Sequence, residues 1–509
     1  MIAHLAEADK AHDLQPLVTE LLDHVHQAAR QGTPAHEVEK ALWGKVLALG
    51  HQALGLFFRL QGTGDLGETV ELPGGQTARR LEQTHQRAYR SVFGDFTLDR
   101  AVYGTREGQK IDLVPLDARL QLPASDYSYL LQQWDAALGC ESAFARVGTT
   151  LFDVLGVKQS TDSLERLNRH MAGSVEPFRQ SRPMPLAGDE GEVMVAQADG
   201  KGVVLRRAAD SPQALEHCRK GPKKDQKRVA VVGAVYSVDR LVRTPEAVVE
   251  SLFRDPREAT EKRPRRPAPV GKHVWASLSH QRAGVKVSGT AVVFGWLHDE
   301  LARRDKCRRD EGEGEETVYL MDGQESLWEA RREYLPGENA LEILDLLHVT
   351  PRLWQAAHLF HKERGKEAIA FVRERLLQVL HGRVGYVVGG LRQMGTKHGL
   401  SGAKARRLRV VCEYLKKNAS RMRYGEYLAK GYPIATGVIE GACRHYVKDR
   451  MERSGMHWTK EGAQAMLDVR SEFLNGDWEA FQAYRIERET ARLYPHRQAL
   501  DVVEWALAV

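Results

Sequence analysis

Glu192-Val-Met-Val-Ala-Gln-Ala-Asp199-Gly200 and Thr317-Val-Tyr-Leu-Met-Asp322-Gly323 are apolar stretches that each run into Asp-Gly, and the chain has no other Asp-Gly dipeptide. Short apolar runs bounded by turn residues read as buried strands. The first is expected to end at Asp199-Gly200 and to return through Gly202-Val-Val-Leu-Arg206 as a hairpin partner. Val229–Val238 adds a third strand and Leu341–Val349 a further one, with a helical pattern at Val292–Arg304. Strands mixed with helices put this region in the α/β class. An Asp closing a buried strand points into the crevice where open α/β sheets bind ligands, and a following Gly lets the backbone turn freely. A single Asp-Gly is equally ordinary turn chemistry. A matched pair after strands in one domain can bridge divalent ions, with turn chemistry as the alternative, and carboxylate oxygens suit Mg²⁺ better than His or Cys would.

A third acid comes from Gly437-Val-Ile-Glu440-Gly-Ala-Cys-Arg-His-Tyr-Val-Lys-Asp-Arg450-Met-Glu-Arg-Ser-Gly-Met-His-Trp458. After Pro433 this reads as a helix ending near Gly455, with Ile439, Cys443 and Val447 as its buried stripe and Glu440 at the edge. Glu440 with Arg444, Lys448 and Arg450 mixes one carboxylate with cations, as a site for metal and phosphate requires; an ordinary amphipathic helix has the same pattern.

The net charge is +6, but residues 356–430 hold 17 Lys and Arg against 5 Asp and Glu, so one segment carries +12 and the remainder sums to −6. This basic segment reads as largely helical. Arg406, Arg407, Arg409, Lys416 and Lys417, interleaved with Tyr414, Tyr424 and Tyr427, suit phosphate contact plus base stacking, while a solvated helix face is the alternative.

Upstream, Leu17–Ala29 and Glu37–Leu60 are helical, broken at Gly32-Thr-Pro34. Arg90–Val102 suggests two short strands turning at Gly94-Asp95. Helix resumes from Tyr127, stops at Gly156 and restarts near Asp162, whose spacing to Glu165 suits an N-cap. That is a helix-turn-helix pattern whose second helix offers Arg166 and Arg169 to DNA, and equally that of a plain helical hairpin. Pro177–Gly191 reads as a linker, and Lys220–Lys224, Lys262–Pro267 and Asp310–Glu316 as exposed charged loops.

The length of 509 residues predicts about three domains. With 42% hydrophobic and 28% charged residues, the composition excludes a disordered, collagen-like or coiled-coil chain. Runs such as Val229–Val238 are about half of the ~20 residues a membrane span needs, and the N terminus has no signal-peptide pattern. Five scattered cysteines without a CxxC pair suit a reducing compartment, so a cytoplasmic location is expected and structural zinc is not. Gly390–Lys397 lacks the Lys-Ser/Thr order of a phosphate-binding loop, and His358-Leu-Phe-His361 lacks a third ligand.

Asp199-Gly, Asp322-Gly, Asp345-Leu-Leu-His348 and Gly437-Val-Ile-Glu440-Gly, followed by Arg450-Met-Glu-Arg-Ser-Gly-Met-His-Trp458, together resemble a bacterial insertion-sequence DDE transposase of the ISKra group. The resemblance covers about Tyr89 to Trp478. Asp199 and Asp322 are 123 residues apart and Asp322 and Glu440 118, leaving room for the helical insertion that Mutator-like transposases, which these resemble, place before the last acid. Relatives often carry a CxxC knuckle where this chain has Tyr103–Gln109, which puts a zinc-stabilised end-recognition module in question.

The resemblance implies an α/β fold with a ribonuclease-H-like catalytic core, interrupted by an α-helical insertion and preceded by a mainly α-helical N-terminal DNA-binding region. The expected division is an N-terminal helical region with a short β segment (1–125), a helix-turn-helix-like region and linker (126–185), the first part of the core (186–355), the basic insertion (356–432), and the core helix with the third acid plus C-terminal helices (433–509). Asp199, Asp322 and Glu440 would be the catalytic residues and the ligands of two Mg²⁺ ions, with Mn²⁺ as a substitute. Asp345 and His348 would be accessory, His348 orienting Asp345 or touching the scissile strand, with a core histidine as the alternative. DNA contacts are expected from Arg166, Arg169, Arg406, Arg407, Arg409, Lys416, Lys417, Arg444, Arg450 and Trp458. The expected partner is double-stranded DNA, both terminal inverted repeats and target, bound by a nucleoid-associated homodimer or higher oligomer. The rival expectations are a ribonuclease-H-like nuclease that only hydrolyses and a DNA-binding regulator or domesticated transposase.

Overall fold

The computed structural model describes residues 14–500 except 73–74, 106–110, 184–186, 208–216, 219–220, 223–224, 255–265, 283–284, 311–315, 336, 338–339 and 364. The loops expected at Lys220–Lys224, Lys262–Pro267 and Asp310–Glu316 lie largely outside the described residues. The fold is mixed α/β, and the chain divides into two compact units, 1–178 with 477–509, and 179–476.

The first unit opens with helices α1 (Gln15–Gln31) and α2 (Ala35–Leu60), separated where Gly32 takes a left-handed φ of 63°. Strands β1 (Thr69–Leu72), β2 (Gln76–Arg80), β3 (His85–Ser91), β4 (Gly94–Arg100) and β5 (Tyr103–Gly104) follow. β3 and β4 form the expected hairpin, but Ser91 pairs with Gly94, so the turn is Val92-Phe93 and Gly94-Asp95 already belongs to the strand. After α3 (Pro115–Leu120) come α4 (Tyr129–Glu141), α5 (Phe144–Leu155) and α6 (Thr161–Ala172). The N-cap of α6 is Ser160, whose side chain accepts from the Ser163 amide, not Asp162. Leu131, Val147, Leu151, Leu164 and Leu167 close the core of these three helices. The helix Trp478–Leu493 belongs to this unit: buried Arg485 donates to Gln132 at 3.0 Å, and Phe481 packs edge-on against Phe178.

The second unit is built on a five-stranded sheet of β6 (Val193–Arg206), β7 (Asp225–Val238), β8 (Val270–Leu278), β9 (Thr317–Met321) and β10 (Leu341–Leu344), in the order β8-β7-β6-β9-β10. The first three run antiparallel, and β9 and β10 join parallel to β6. Asp199-Gly200 does not end a strand. β6 continues through it for 14 residues and pairs along its whole length with β7, so Gly202–Arg206 extends the same strand and is not a hairpin return. Asp322-Gly323 does turn the chain out of β9, the Asp322 carboxylate accepting from the Gln324 amide at 2.8 Å, so only Asp199-Gly200 departs from turn chemistry.

Both sheet faces are covered, which explains why Val193–Ala198 is an unbroken buried run without alternation. Helices α7 (Pro245–Phe253), α8 (Gly289–Asp310) and α9 (Glu325–Tyr334) precede α10 (Leu346–Phe360), α11 (Lys366–Leu380), α12 (Val384–Lys397), α13 (Gly402–Lys417) and α14 (Tyr424–Ala429). The expected strand Leu341–Val349 ends at Leu344, because Asp345 caps α10 by accepting from the Leu347 amide. One face, with Val193, Val195, Val318, Leu320 and Ile343, shares a single core with residues of α10 to α14 such as Leu353, Leu376, Leu391 and Leu408. The other face, with Met194, Ala196, Tyr319 and Met321, packs against Phe294, Leu297 and Trp328 from α8 and α9. Residues 437–451 form a helix, as expected, of which 442–448 is a π segment, and α15 (Lys460–Asn475) follows.

The expected linker Pro177–Gly191 is in part the helix Val175–Ser181, and its Arg179 is buried against Glu472 at 2.7 Å and over the Trp275 ring at 4.3 Å. Leu320 sits on the central parallel strand with no exposed surface. Leu320→Ala is expected to destabilise the second unit by about 2–5 kcal/mol, measured as a lower urea midpoint at unchanged slope; an unaltered midpoint would mean that this face is not close-packed.

Candidate active site

The register of the three parallel strands aligns the acids. Thr317, Val318 and Tyr319 pair with Met194, Val195 and Ala196, while Met321 pairs with Leu344. Continuing the first register by three residues and the second by one sets Asp322 level with Asp199 on one side and Asp345 on the other. Paired strands lie about 4.8 Å apart, which makes Asp322 and Asp345 neighbours, while Asp199 joins the row on the continuation of β6 beyond its last pair with β9. Side chains alternate along a strand, and Asp199 and Asp322 share parity with Val195 and Leu320, so both face the side covered by α10 to α14.

Glu440 reaches the row because its helix is tied down at two places. The Ile439 amide donates to the buried Gln197 side chain at 3.0 Å, and Gln197 donates to the Tyr236 hydroxyl at 3.1 Å. One turn earlier, Thr436 donates through its amide (3.0 Å) and its hydroxyl (2.6 Å) to the Asp345 carboxylate. In the π segment, the Cys443 thiol donates to Asp199 Oδ2 at 3.3 Å, while the Gly200 amide holds Oδ1 at 2.6 Å. π segments occur often at functional sites. Burial, then the Asp199 charge, push the Cys443 thiol pKa up, so it stays a neutral donor.

Asp345 is fully buried and accepts four hydrogen bonds: from the Leu347 and Thr436 amides on Oδ1, and from the Thr436 hydroxyl and His348 Nδ1 (2.6 Å) on Oδ2. A carboxylate has about four lone-pair sites, so Asp345 has none left for a metal. It acts on His348, fixing the tautomer with Nδ1 protonated and leaving Nε2 for the crevice. Among the described residues, the trio whose ligand atoms all lie within 4.8 Å of one another is Asp345, His348 and Glu440, rather than Asp199, Asp322 and Glu440. The four bonds on Asp345 assign that grouping to histidine orientation.

The electrostatics bear the marks of crowded negative charge. Burial, then the neighbouring Asp199 and Asp345 charges, raise the Asp322 pKa against the pull of the Gln324 amide. Burial, Asp345 and Asp199 likewise raise that of Glu440. The bond to Asp345 raises that of His348, helped by Asp322 and Glu440. Asp199, Asp322 and Glu440 are near enough for their charges to oppose one another, and oxygen donors suit a hard divalent cation, but as a set their oxygens do not lie within 4.8 Å of one another.

The expected DNA-binding residues divide. Arg406, Arg407, Arg409, Lys416 and Lys417 are all exposed on α13, as are Arg444 and, in the first unit, Arg166 and Arg169. Arg169 pairs with Glu165 at 3.2 Å. Arg450 and Trp458 do not face solvent: the Arg450 guanidinium lies 4.7 Å from the Trp458 ring, both are buried, and the Trp458 backbone bridges to the end of β6. They build the core rather than touch DNA. Tyr424 and Tyr427 are also core, their hydroxyls donating to the Leu344 and Glu342 carbonyls, so they anchor α14 and cannot stack on bases. Gln197, Thr436 and Cys443 were not singled out as site residues by sequence reasoning. Gln197 alone left a signal, as a polar residue inside an apolar strand.

Compared with protein-family models and with curated proteins, the chain matches none.

The folded-state pKa of Asp322 lies above its ordinary value, so folding favours the protonated carboxyl, and that contribution is lost as pH rises through the raised value. Without divalent ions, Asp322→Asn should therefore raise the melting temperature near neutral pH, and the gain should shrink as pH falls. Melts in chelator across a pH series read this; a lower melting temperature at neutral pH would remove charge repulsion as the dominant effect.

Proposed function

We propose that the second unit is a divalent-metal-dependent polynucleotidyl transferase of the DDE transposase kind, cutting DNA at element ends and joining the freed 3′ hydroxyl to target DNA. The observation that carries the reading is the row of Asp199, Asp322 and Asp345 across three parallel strands, with Glu440 brought to it by the Ile439–Gln197 hydrogen bond. The strand order, with three antiparallel strands continued by two parallel ones, is what a ribonuclease-H-like core would have, and the exposed cations of α13 supply a phosphate-binding face.

Asp199, Asp322 and Glu440 would hold the ions, and bound metal would supply water activation on one side of the scissile phosphodiester and stabilisation of the departing 3′ oxygen on the other. The chain's own residues prepare that site. Cys443 and the Gly200 amide fix the Asp199 carboxylate, the Gln324 amide fixes Asp322 at 2.8 Å, and Gln197 fixes the turn bearing Glu440. The bond to Asp345 raises the His348 pKa and so favours the imidazolium, whose Nε2–H would donate to a phosphate oxygen. By the family resemblance, the 3′ hydroxyl then replaces water as nucleophile in the same site.

Asp199→Asn, Asp322→Asn and Glu440→Gln should each lower Mg²⁺-dependent nicking of plasmid DNA on the order of a thousandfold or more, while a gel shift shows DNA binding intact. Near-normal nicking by one variant removes that residue from the site. DNA binding without any nicking by the wild type would leave a DNA-binding protein, and nicking without strand transfer a nuclease.

Neutralising Arg406, Arg407, Arg409, Lys416 and Lys417 together should weaken binding to unrelated duplexes alike and flatten the slope of log affinity against log salt by about 0.9 for each phosphate no longer neutralised. An unchanged slope would make this helix face a solvated surface only.

A further inference from the structure

A cleft of about 430 Å³ opens beside Asp322, walled by Asp322 and Gln324 after β9, by His348, Arg352 and Gln355 on α10, and by Tyr414 on α13. Clefts that take up small ligands begin at about 300 Å³, so this volume is of the size that one nucleotide fills. His348, Arg352 and Gln355 recur at helical spacing, which turns one face of α10 to the cleft.

The Arg352 guanidinium lies 4.7 Å from the centre of the Tyr414 ring and donates to Gln355 Oε1 at 3.3 Å; among the described residues it forms no ion pair with a carboxylate. A cation beside a row of acids would ordinarily be neutralised by one of them. Tyr414 is itself held fast: its ring occupies the space a Cβ at position 323 would take, so glycine is what lets α13 close over the end of β9. One turn further along α13, Lys417 pairs with Glu325 at 3.0 Å and continues the basic wall. A planar, pre-oriented fork of N–H donors without a protein carboxylate matches a phosphodiester.

We propose that this cleft binds a single DNA strand, holding the nucleotide next to the scissile bond with its phosphate on Arg352. The assignment deepens the transferase reading and rests on it. Tyr414 and Gln355 are positioning residues that hold the guanidinium in place.

The test measures fluorescence anisotropy of a short oligothymidylate with a free 3′ hydroxyl, in Ca²⁺, against wild type, Arg352→Gln and Arg352→Lys. Arg352→Gln should bind about tenfold or more weakly, and Arg352→Lys should retain part of the affinity because it keeps the charge but not the fork. A methylphosphonate at the linkage nearest the 3′ end should cost the wild type a similar factor and cost Arg352→Gln nothing further. Equal binding by wild type and Arg352→Gln, or an equal methylphosphonate penalty in both, overturns the proposal. Should Arg352→Gln fail to fold, the methylphosphonate scan on the wild type decides alone: no linkage standing out from the rest overturns it. These readouts need no cleavage, so absence of nicking by the wild type would sink the transferase reading while the cleft is judged separately.

Discussion

The buried carboxylate of Asp345 is the joint on which the second unit's candidate site is assembled. Its four hydrogen bonds begin α10, stop β10, fix the loop at Thr436 and orient His348. A buried carboxylate is costly unless fully satisfied, and each partner here is one the site needs in place. Removing Asp345 would therefore release three elements together. The Leu346 amide adds to the joint by donating to the Ile434 carbonyl at 3.0 Å, so the segment leading to Glu440 is laid along the sheet edge before its helix begins.

Around this joint the molecule concentrates like charge at the mouth of a parallel sheet, against its own stability. The opposing contribution comes from the two covered faces of the sheet, where strands and helices bury a continuous apolar core on either side. The insertion helices do not form a separate body, since Leu376, Leu391 and Leu408 pack in the same core as Val195 and Leu320. The basic surface of α13 is thus rigidly connected to the strands bearing the acids. Tyr414, wedged against Gly323, makes that connection at the site itself.

Much of this was legible in the sequence, and what was not has identifiable causes. The strand Thr317–Met321 and the helices around Gly32 and Gly156 follow from apolar runs and left-handed glycines, which act locally. Asp199-Gly200 misled because a dipeptide typical of turns lies inside a long antiparallel pairing, where the partner β7 overrides local preference. Arg450 and Trp458 were each expected to contact DNA, since charge and aromaticity signal surface chemistry. Stacked on each other they are instead a buried unit, which only tertiary packing reveals. The level alignment of Asp199, Asp322 and Asp345 was equally hidden, because register is a property of strand pairs and no single strand encodes it.

The chain also returns to its first unit after residue 476, where Trp478–Leu493 supplies Phe481 and Arg485 to a core begun by residues up to Phe178. During synthesis, roughly 300 residues of the second unit emerge between the two parts of that core. At about 5–20 residues per second, the interval is on the order of 15 seconds to a minute. The intervening unit has its whole sequence available first and can mature on the ribosome, whereas Gln132 and Phe178 wait for partners translated after it. Vectorial folding would thus complete the half bearing the row of acids before the half that carries the helix-turn-helix pattern.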